Sequence, residues 1–187
     1  MTSAQARRAE AGDTSCGDRI AVTLVIDGGG YADVSSGDAF LDHLLEMVAR
    51  HARFDLTIST GDARAVCGDR VVESIAGALG RALREALGAE QGIRRSGSAT
   101  MPFDEALALV ALDLSGRPYL AYDIDLTGVR IDDFDADLAG RFLLALVEAA
   151  ALTLHVRLLS GSDPHHIVDA VFEGLGEALR TACETIA

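Results

Sequence analysis

The strongest constraint on the fold is that the chain writes one helix twice. Residues 69–86 read DRVVESIAGALGRALREA, and residues 165–182 read HHIVDAVFEGLGEALRTA. Aligned without a gap, they share Val72/Val168, Leu79/Leu175, Gly80/Gly176, Ala82/Ala178, Leu83/Leu179, Arg84/Arg180 and Ala86/Ala182. Amphipathic helices share Ala and Leu freely. The matching interior glycine, set in a matching order of elements, makes duplication the better reading.

That order is legible on both sides. Ile20, Val22, Leu24 and Ile26 alternate up to Asp27-Gly28-Gly29-Gly30, the pattern of a strand entering a tight turn. Phe40, Leu41, Leu44, Leu45 and Val48 then form a helical stripe, with His43, Met47 and His51 on another at i, i+4, i+8. Leu56 and Ile58 mark a strand that ends at Gly61-Asp62, and a helix over 70–87 stops near Gly88. In the second half a strand over 106–114 runs into the turn Ser115-Gly116-Arg117-Pro118, with an edge strand within 119–124. The acidic stretch Asp132, Asp133, Asp135, Asp137 reads as a solvated loop and helix entry. A helix over 142–151, a strand over 154–159 and a last helix opened by Asp163-Pro164 complete the half. The expected organisation is a flexible arm over residues 1–18 and two repeat halves, 19–93 and 94–187. Each half is a small sheet with two helices on one face, and together they form an α+β sandwich.

Charge and composition narrow the function. The net charge of −13, with 16 basic residues in no long cluster, argues against a nucleic-acid partner. All of those residues are arginine, so no mechanism can use a lysine ammonium. Although 49% of the residues are hydrophobic, no apolar run reaches the roughly 20 residues of a membrane helix. The N-terminus MTSAQARRAEAGDTSCG lacks a hydrophobic signal region, and the expected location is the cytoplasm. Cys16, Cys67 and Cys183 are too few and too scattered for a disulfide framework or a CxxC metal site.

The chemistry-bearing residues are five histidines: His43, His51, His155, His165 and His166. His165 and Asp169 stand one turn apart on one helix face, and His166 lies three residues before Asp169, so imidazoles and a carboxylate can converge. Adjacent helical positions diverge by about 100°, so the two histidines can equally serve two neighbouring sites. The positive end of the helix disfavours imidazolium and keeps the metal-binding neutral form. Nitrogen and carboxylate ligands together suit Mn, Fe, Zn, Co or Ni. On spacing alone, metal binding stands level with a pair of histidines that merely caps the helix and faces solvent.

The segments FLDHLLEMVARHARFDL, GIRRSG, MPFDEALALVALDLSGRPYL, TLHV and HHIVDAVFEGLGEAL, in this order, resemble the imidazoleglycerol-phosphate dehydratase family of histidine biosynthesis. The resemblance spans roughly residues 10–183. It implies a tandem duplication of a ββαβα-like unit, of the ribosomal protein S5 domain 2-like class, and trimers that assemble into a large cubic homo-oligomer. It also implies two manganese ions at subunit interfaces, held largely by two HHxxE helices, and a reaction that removes water from a glycerol-phosphate side chain.

Carried over by residue, the resemblance makes His43, His155, His165 and His166 metal ligands. Glu73 matches the glutamate of the first HHxxE, and Asp169 stands at that of the second. Asp69 stands where the first motif has a histidine and is a substitute ligand. Glu73 and His43 are the candidate catalytic residues, and Arg95 and Arg117 match phosphate-contacting arginines. The chain also departs from the pattern. Asp69–Arg70 replaces the first His-His, the catalytic glutamate of TxET falls at Cys16 or Gly17, Glu173 stands where the family has a lysine, and the chain stops at CETIA without a phosphate-binding tail. The expectation is at most one intact site for manganese or another divalent transition metal, or no metal at all. The function expected is a carbon-oxygen lyase with altered specificity, acting on a small polar, imidazole-type substrate. The alternative is a catalytically inactive structural or binding subunit.

Overall fold

The structure is a computed structural model that describes residues 6–15, 20–63, 68–88 and 92–186. Its first half runs β1 (Arg8–Asp13), β2 (Ile20–Val25), β3 (Ala32–Ser35), α1 (Ala39–Ala52), β4 (Asp55–Ser59) and α2 (Arg70–Leu87). Its second half runs β5 (Ser96–Phe103), β6 (Ala106–Asp113), β7 (Tyr119–Tyr122), a small hairpin of β8 (Arg130–Ile131) and β9 (Phe134–Asp135), α3 (Asp137–Ala150), β10 (Thr153–Ser160) and α4 (Pro164–Cys183).

The two halves repeat in topology as well as in order. The first sheet is ordered β1-β2-β4-β3 and the second β5-β6-β10-β7. In each the last pair is parallel and the others antiparallel. Register agrees too: Leu24 faces Leu56 and Val22 faces Ile58, while Leu112 faces Leu154 and Val110 faces Val156. A one-residue slip would turn these side chains to solvent, so the buried face fixes the register.

The helices of the two halves meet between the sheets, α2 lying on β1 and β2, and α4 on β5 and β6. Each half lends its first helix to the other's second: α1 packs on α4, and α3 on α2. One apolar core results, and within it Phe134, Phe142 and Phe172 are fully buried. Each such aromatic contributes roughly 1.5–3 kcal/mol relative to exposure.

The repeated glycines explain how the helices cross. A Cβ on Gly80 would stand 2.8 Å from Ala149 Cβ, 2.8 Å from the Leu146 carbonyl oxygen and 2.9 Å from the Ala150 nitrogen. A Cβ on Gly176 would stand 2.7 Å from His51 Cβ, 2.8 Å from the Val48 carbonyl oxygen and 3.2 Å from the Ala52 nitrogen. These two sets occupy the same positions of α1 and α3, each a 14-residue helix ended by a left-handed residue, Arg53 or Ala151. The crossing is therefore used twice.

Four expectations need correction. The region over 1–18 is not a loose arm throughout, because Arg8–Asp13 pairs with β2 as an edge strand and buries Ala9. Before its first helix the first half has three strands, and the second has three in its main sheet and the β8/β9 hairpin besides, rather than the two of a ββαβα unit. The acidic stretch folds partly into the β8/β9 hairpin, since Ile131 and Phe134 are buried between its aspartates. Finally, α3 begins at Asp137, a turn and a half before the expected start. Among the described residues no helix is long and apolar enough to cross a membrane, and Cys183 is a buried free thiol. Cys16, Gly17 and Cys67 lie outside the described residues.

Candidate metal centre

Two well-anchored helix starts bring the site together. The Asp38 carboxylate accepts from the backbone nitrogens of Phe40 and Leu41 at 3.0 and 3.1 Å, fixing the first turn of α1 and with it His43. At the start of α4 the Asp163 carboxylate accepts from the His165 nitrogen at 2.9 Å, with Pro164 at the first helical position. Asp169 follows His165 by one turn, and the glycine crossing holds α1 against the same helix.

The result is a trio. His43 Nε2 lies 3.5 Å from Asp169 Oδ1, and His165 Nε2 lies 3.3 Å from Asp169 Oδ2. Ligating atoms of the three residues all lie within 4.8 Å of one another. Such separations exceed the roughly 2.7–3.2 Å of a normal N–H···O bond. They match two ligands on one ion, because bonds of about 2.0–2.2 Å in tetrahedral arrangement place ligands about 3.3–3.6 Å apart. Asp169 is 2% exposed, and its Oδ1 accepts no hydrogen bond of normal geometry. A buried, unpartnered carboxylate oxygen is costly, and a cation is its natural complement. Burial raises the Asp169 pKa, against the pull of His165 and His43. The chemistry, burial and orphaned oxygen fit a divalent transition ion.

A cavity of about 650 Å³ opens beside the trio, walled by His43, His165, Phe40 and Phe134. Phe40 meets Phe134 at 5.1 Å and the His165 ring edge-on at 5.1 Å. Three carboxylates, Asp38, Asp132 and Asp133, line it, and among the described residues no arginine does.

The other candidate residues stand elsewhere in the chain. His166 turns away from Asp169: its Nδ1 lies 2.6 Å from Glu105 Oε2 and its Nε2 3.5 Å from Asp104 Oδ2. Glu105 also accepts from the Ser162 and Asp163 nitrogens, and with His166 these bonds hold its pKa down to about 2, while the His166 pKa is raised. Of the two arrangements open for the adjacent histidines, the divergent one is found. His155 is exposed on β10 with its ring 5.6 Å from that of Tyr119. Asp69 is exposed at the start of α2 and caps nothing through its side chain. Glu73 accepts from Arg141, with Nε and a terminal nitrogen each 2.7 Å from Oε1. Arg95, at φ 70°, is held bidentate by Asp113 at 2.7 and 3.0 Å, and Arg117 is exposed at its turn. Glu173 lies 3.5 Å from His51 Nε2.

Sequence reasoning passed over Glu105, the Phe40/Phe134 wall, the Asp132/Asp133 rim and Arg141. Arg141 carried no signal in the sequence, because the 96-residue offset of the repeated helices sets Ala139 opposite His43.

A family model for imidazoleglycerol-phosphate dehydratase matches residues 36–179. The chain belongs to the imidazoleglycerol-phosphate dehydratase family. It is 45% identical over 167 residues to imidazoleglycerol-phosphate dehydratase 1, chloroplastic, of Arabidopsis thaliana, a match covering 89% of this chain and 62% of that relative. It is 43% identical over 176 residues to imidazoleglycerol-phosphate dehydratase of Trichlorobacter lovleyi, covering 94% and 90% respectively. Among solved structures, that of the Staphylococcus aureus enzyme aligns with TM-score 0.85 at 30% identity, over 95% of this chain and 99% of that one. That of the Pyrococcus furiosus enzyme aligns with TM-score 0.74 at 34% identity, covering 89% of each. Family membership and the duplicated α+β fold thus rest on sequence and structure together.

Proposed function

We propose that this chain is a dehydratase-type carbon-oxygen lyase that removes water from a small polar substrate carrying an imidazole-type ring and adjacent hydroxyls. The observation that carries this reading is the orphaned Asp169 oxygen, buried behind His43 and His165, which themselves line a cavity large enough for such a substrate. A divalent transition ion, manganese by family, held by His43, His165 and Asp169 would supply Lewis-acid stabilisation of the charge that develops as an unacidic C–H loses its proton. The protein's own share is positioning. Phe40, backed by the buried Phe134, offers flat apolar surface to a ring, and the Asp132 and Asp133 carboxylates accept from ring N–H or hydroxyl groups. In the reaction the C–H proton is removed and its electron pair forms the new double bond, while the neighbouring C–O bond breaks and its hydroxyl oxygen takes up one proton and leaves as water. Carboxylates on the cavity wall repel phosphate, and Arg95 is engaged by Asp113. The substrate therefore lacks phosphate or carries it away from this wall.

The test incubates manganese-loaded protein with imidazoleglycerol phosphate and, separately, with its dephosphorylated form, and follows loss of one water by mass spectrometry. Metal-dependent dehydration, abolished in His165→Ala, is expected, with the dephosphorylated compound the better substrate. Failure of the loaded protein to dehydrate either compound would sink the lyase reading.

One observation favours a second reading, that of a catalytically inactive structural or binding subunit. Glu73, a candidate catalytic carboxylate, is already engaged by Arg141. Stable co-assembly with an active dehydratase, found by co-purification, would support it. The homo-oligomer, trimer-based by family, is part of the first reading, and light scattering of the purified chain tests it.

A further inference from the structure

We propose that the pseudo-symmetric mate of the metal trio is closed by a built-in cation, the Arg141 guanidinium, so that each chain holds one transition ion rather than two. This rests on the reading that His43, His165 and Asp169 take an ion, and it concerns the residues that the internal twofold places opposite them.

The correspondence is fixed by packing. The backbone atoms around Gly176 belong to Val48, His51 and Ala52 of α1, and those around Gly80 to Leu146, Ala149 and Ala150 of α3, each pair 98 residues apart. Extended along the same helices, this register sets His43 opposite Arg141, each the fifth residue of its 14-residue helix. The alignment of α2 on α4 through Gly80 and Gly176 sets Asp69 opposite His165 and Glu73 opposite Asp169. His43, His165 and Asp169 are thus mirrored by Arg141, Asp69 and Glu73.

The two sets differ in how charge is balanced. In the trio two imidazoles flank a buried carboxylate whose Oδ1 lacks a hydrogen-bond partner. In the mate both Nε and a terminal nitrogen of Arg141 lie 2.7 Å from Glu73 Oε1. A guanidinium stays charged at any working pH and has no lone pair to offer a metal. An ion seeking Glu73 would have to break a charge-assisted contact and sit beside a fixed positive charge. Arg141 therefore fills the role that an external ion fills on the other side. The carboxylate of the mate is satisfied from within, and the break in symmetry at Asp69–Arg70 is matched by a second on the facing helix.

The test restores the symmetry. Manganese bound per chain is measured by calorimetric titration and by elemental analysis after dialysis, for the wild type, for Arg141→His/Asp69→His, and for each with Glu73→Gln. Circular dichroism confirms folding, and Arg141→His alone serves if the double variant misfolds. The double variant is expected to bind one ion more per chain than the wild type, and that added ion disappears with Glu73→Gln. In the wild type Glu73→Gln leaves the metal content unchanged. A wild type that binds a second ion lost on Glu73→Gln overturns the proposal, as does a folded double variant that gains none. Failure of the trio reads out separately, as a wild type that binds no ion. Even then a gain of one ion in the double variant supports the role of Arg141, and no gain overturns it.

Discussion

The twin glycine crossings permit a comparison in which one substitution acts as the control for the other. Gly176→Ala places a Cβ 2.7 Å from His51 Cβ and 2.8 Å from the Val48 carbonyl oxygen. Backbone cannot swing aside, so reaching an ordinary contact of about 3.4 Å forces α1 and α4 apart by roughly 0.6 Å. Overpacking of this kind costs about 1–3 kcal/mol, and the better helix propensity of alanine returns up to about 1 kcal/mol. The net loss is roughly 1–2 kcal/mol, which for a chain of this size lowers Tm by about 2–8 °C. Gly80→Ala meets the same obstacles at α3, 2.8 Å from both Ala149 Cβ and the Leu146 carbonyl oxygen, and should cost about as much. The two differ in what travels with the helices. α1 carries His43 and α4 carries His165 and Asp169, so Gly176→Ala also strains a site whose geometry tolerates only about 0.5 Å. Its manganese affinity should fall on the order of tenfold, about 1.4 kcal/mol, while that of Gly80→Ala stays at the wild-type value. Thermal denaturation followed by circular dichroism and calorimetric manganese titration measure both quantities. A Gly176→Ala protein as stable as the wild type would refute the close crossing, and equal loss of affinity in both variants would refute the link between crossing and site.

Three further outcomes are expected. Asp169→Asn removes the buried charge and should weaken manganese binding by more than the 10- to 100-fold typical of an outer-sphere partner; without metal it melts no lower than the wild type, by the same two measurements. Glu105→Gln should destabilise the start of α4 in a pH-dependent way. The Glu105 share of the pair is present above about 4.5 and lost as pH falls toward about 2. The raised pKa of His166 gives a share present below 6.5 and lost at higher pH, so the Tm difference from the wild type peaks between these limits. The Cys183 thiol is pushed up to about 12 by burial, so iodoacetamide at pH 8 should label Cys183 only on unfolding, read by peptide mass spectrometry. Because the unfolded thiol ionises near 8.5, this group also makes stability decline as pH rises above about 9.

How far the sequence alone could be read follows from where its signals were carried. The repeated Gly80 and Gly176 announced the duplication and, in the structure, prove to be the crossing points that set the pseudo-twofold. His43, His165 and Asp169 were legible because one pair sits at helical spacing and the histidine-bearing segments resemble family motifs. The strand Arg8–Asp13 was missed because its inward positions carry small alanines, and a weakly apolar alternation is indistinguishable from a loose arm until its partner strand is known. The divergence of His166 from Asp169 was one of two possibilities, decided by Glu105, which is 61 residues away in sequence and invisible to local spacing. Arg141 gave no local sign either. An arginine on an amphipathic helix reads as solvent-facing, and its meaning emerges only once α3 is laid on α1.

The most direct measurement is anomalous X-ray scattering at the manganese edge from crystals grown with excess manganese. The account predicts one strong peak per chain, within bonding distance of His43 Nε2, His165 Nε2 and the Asp169 carboxylate, and none at Glu73. No peak at the trio, or a peak on Glu73 beside Arg141, would contradict it.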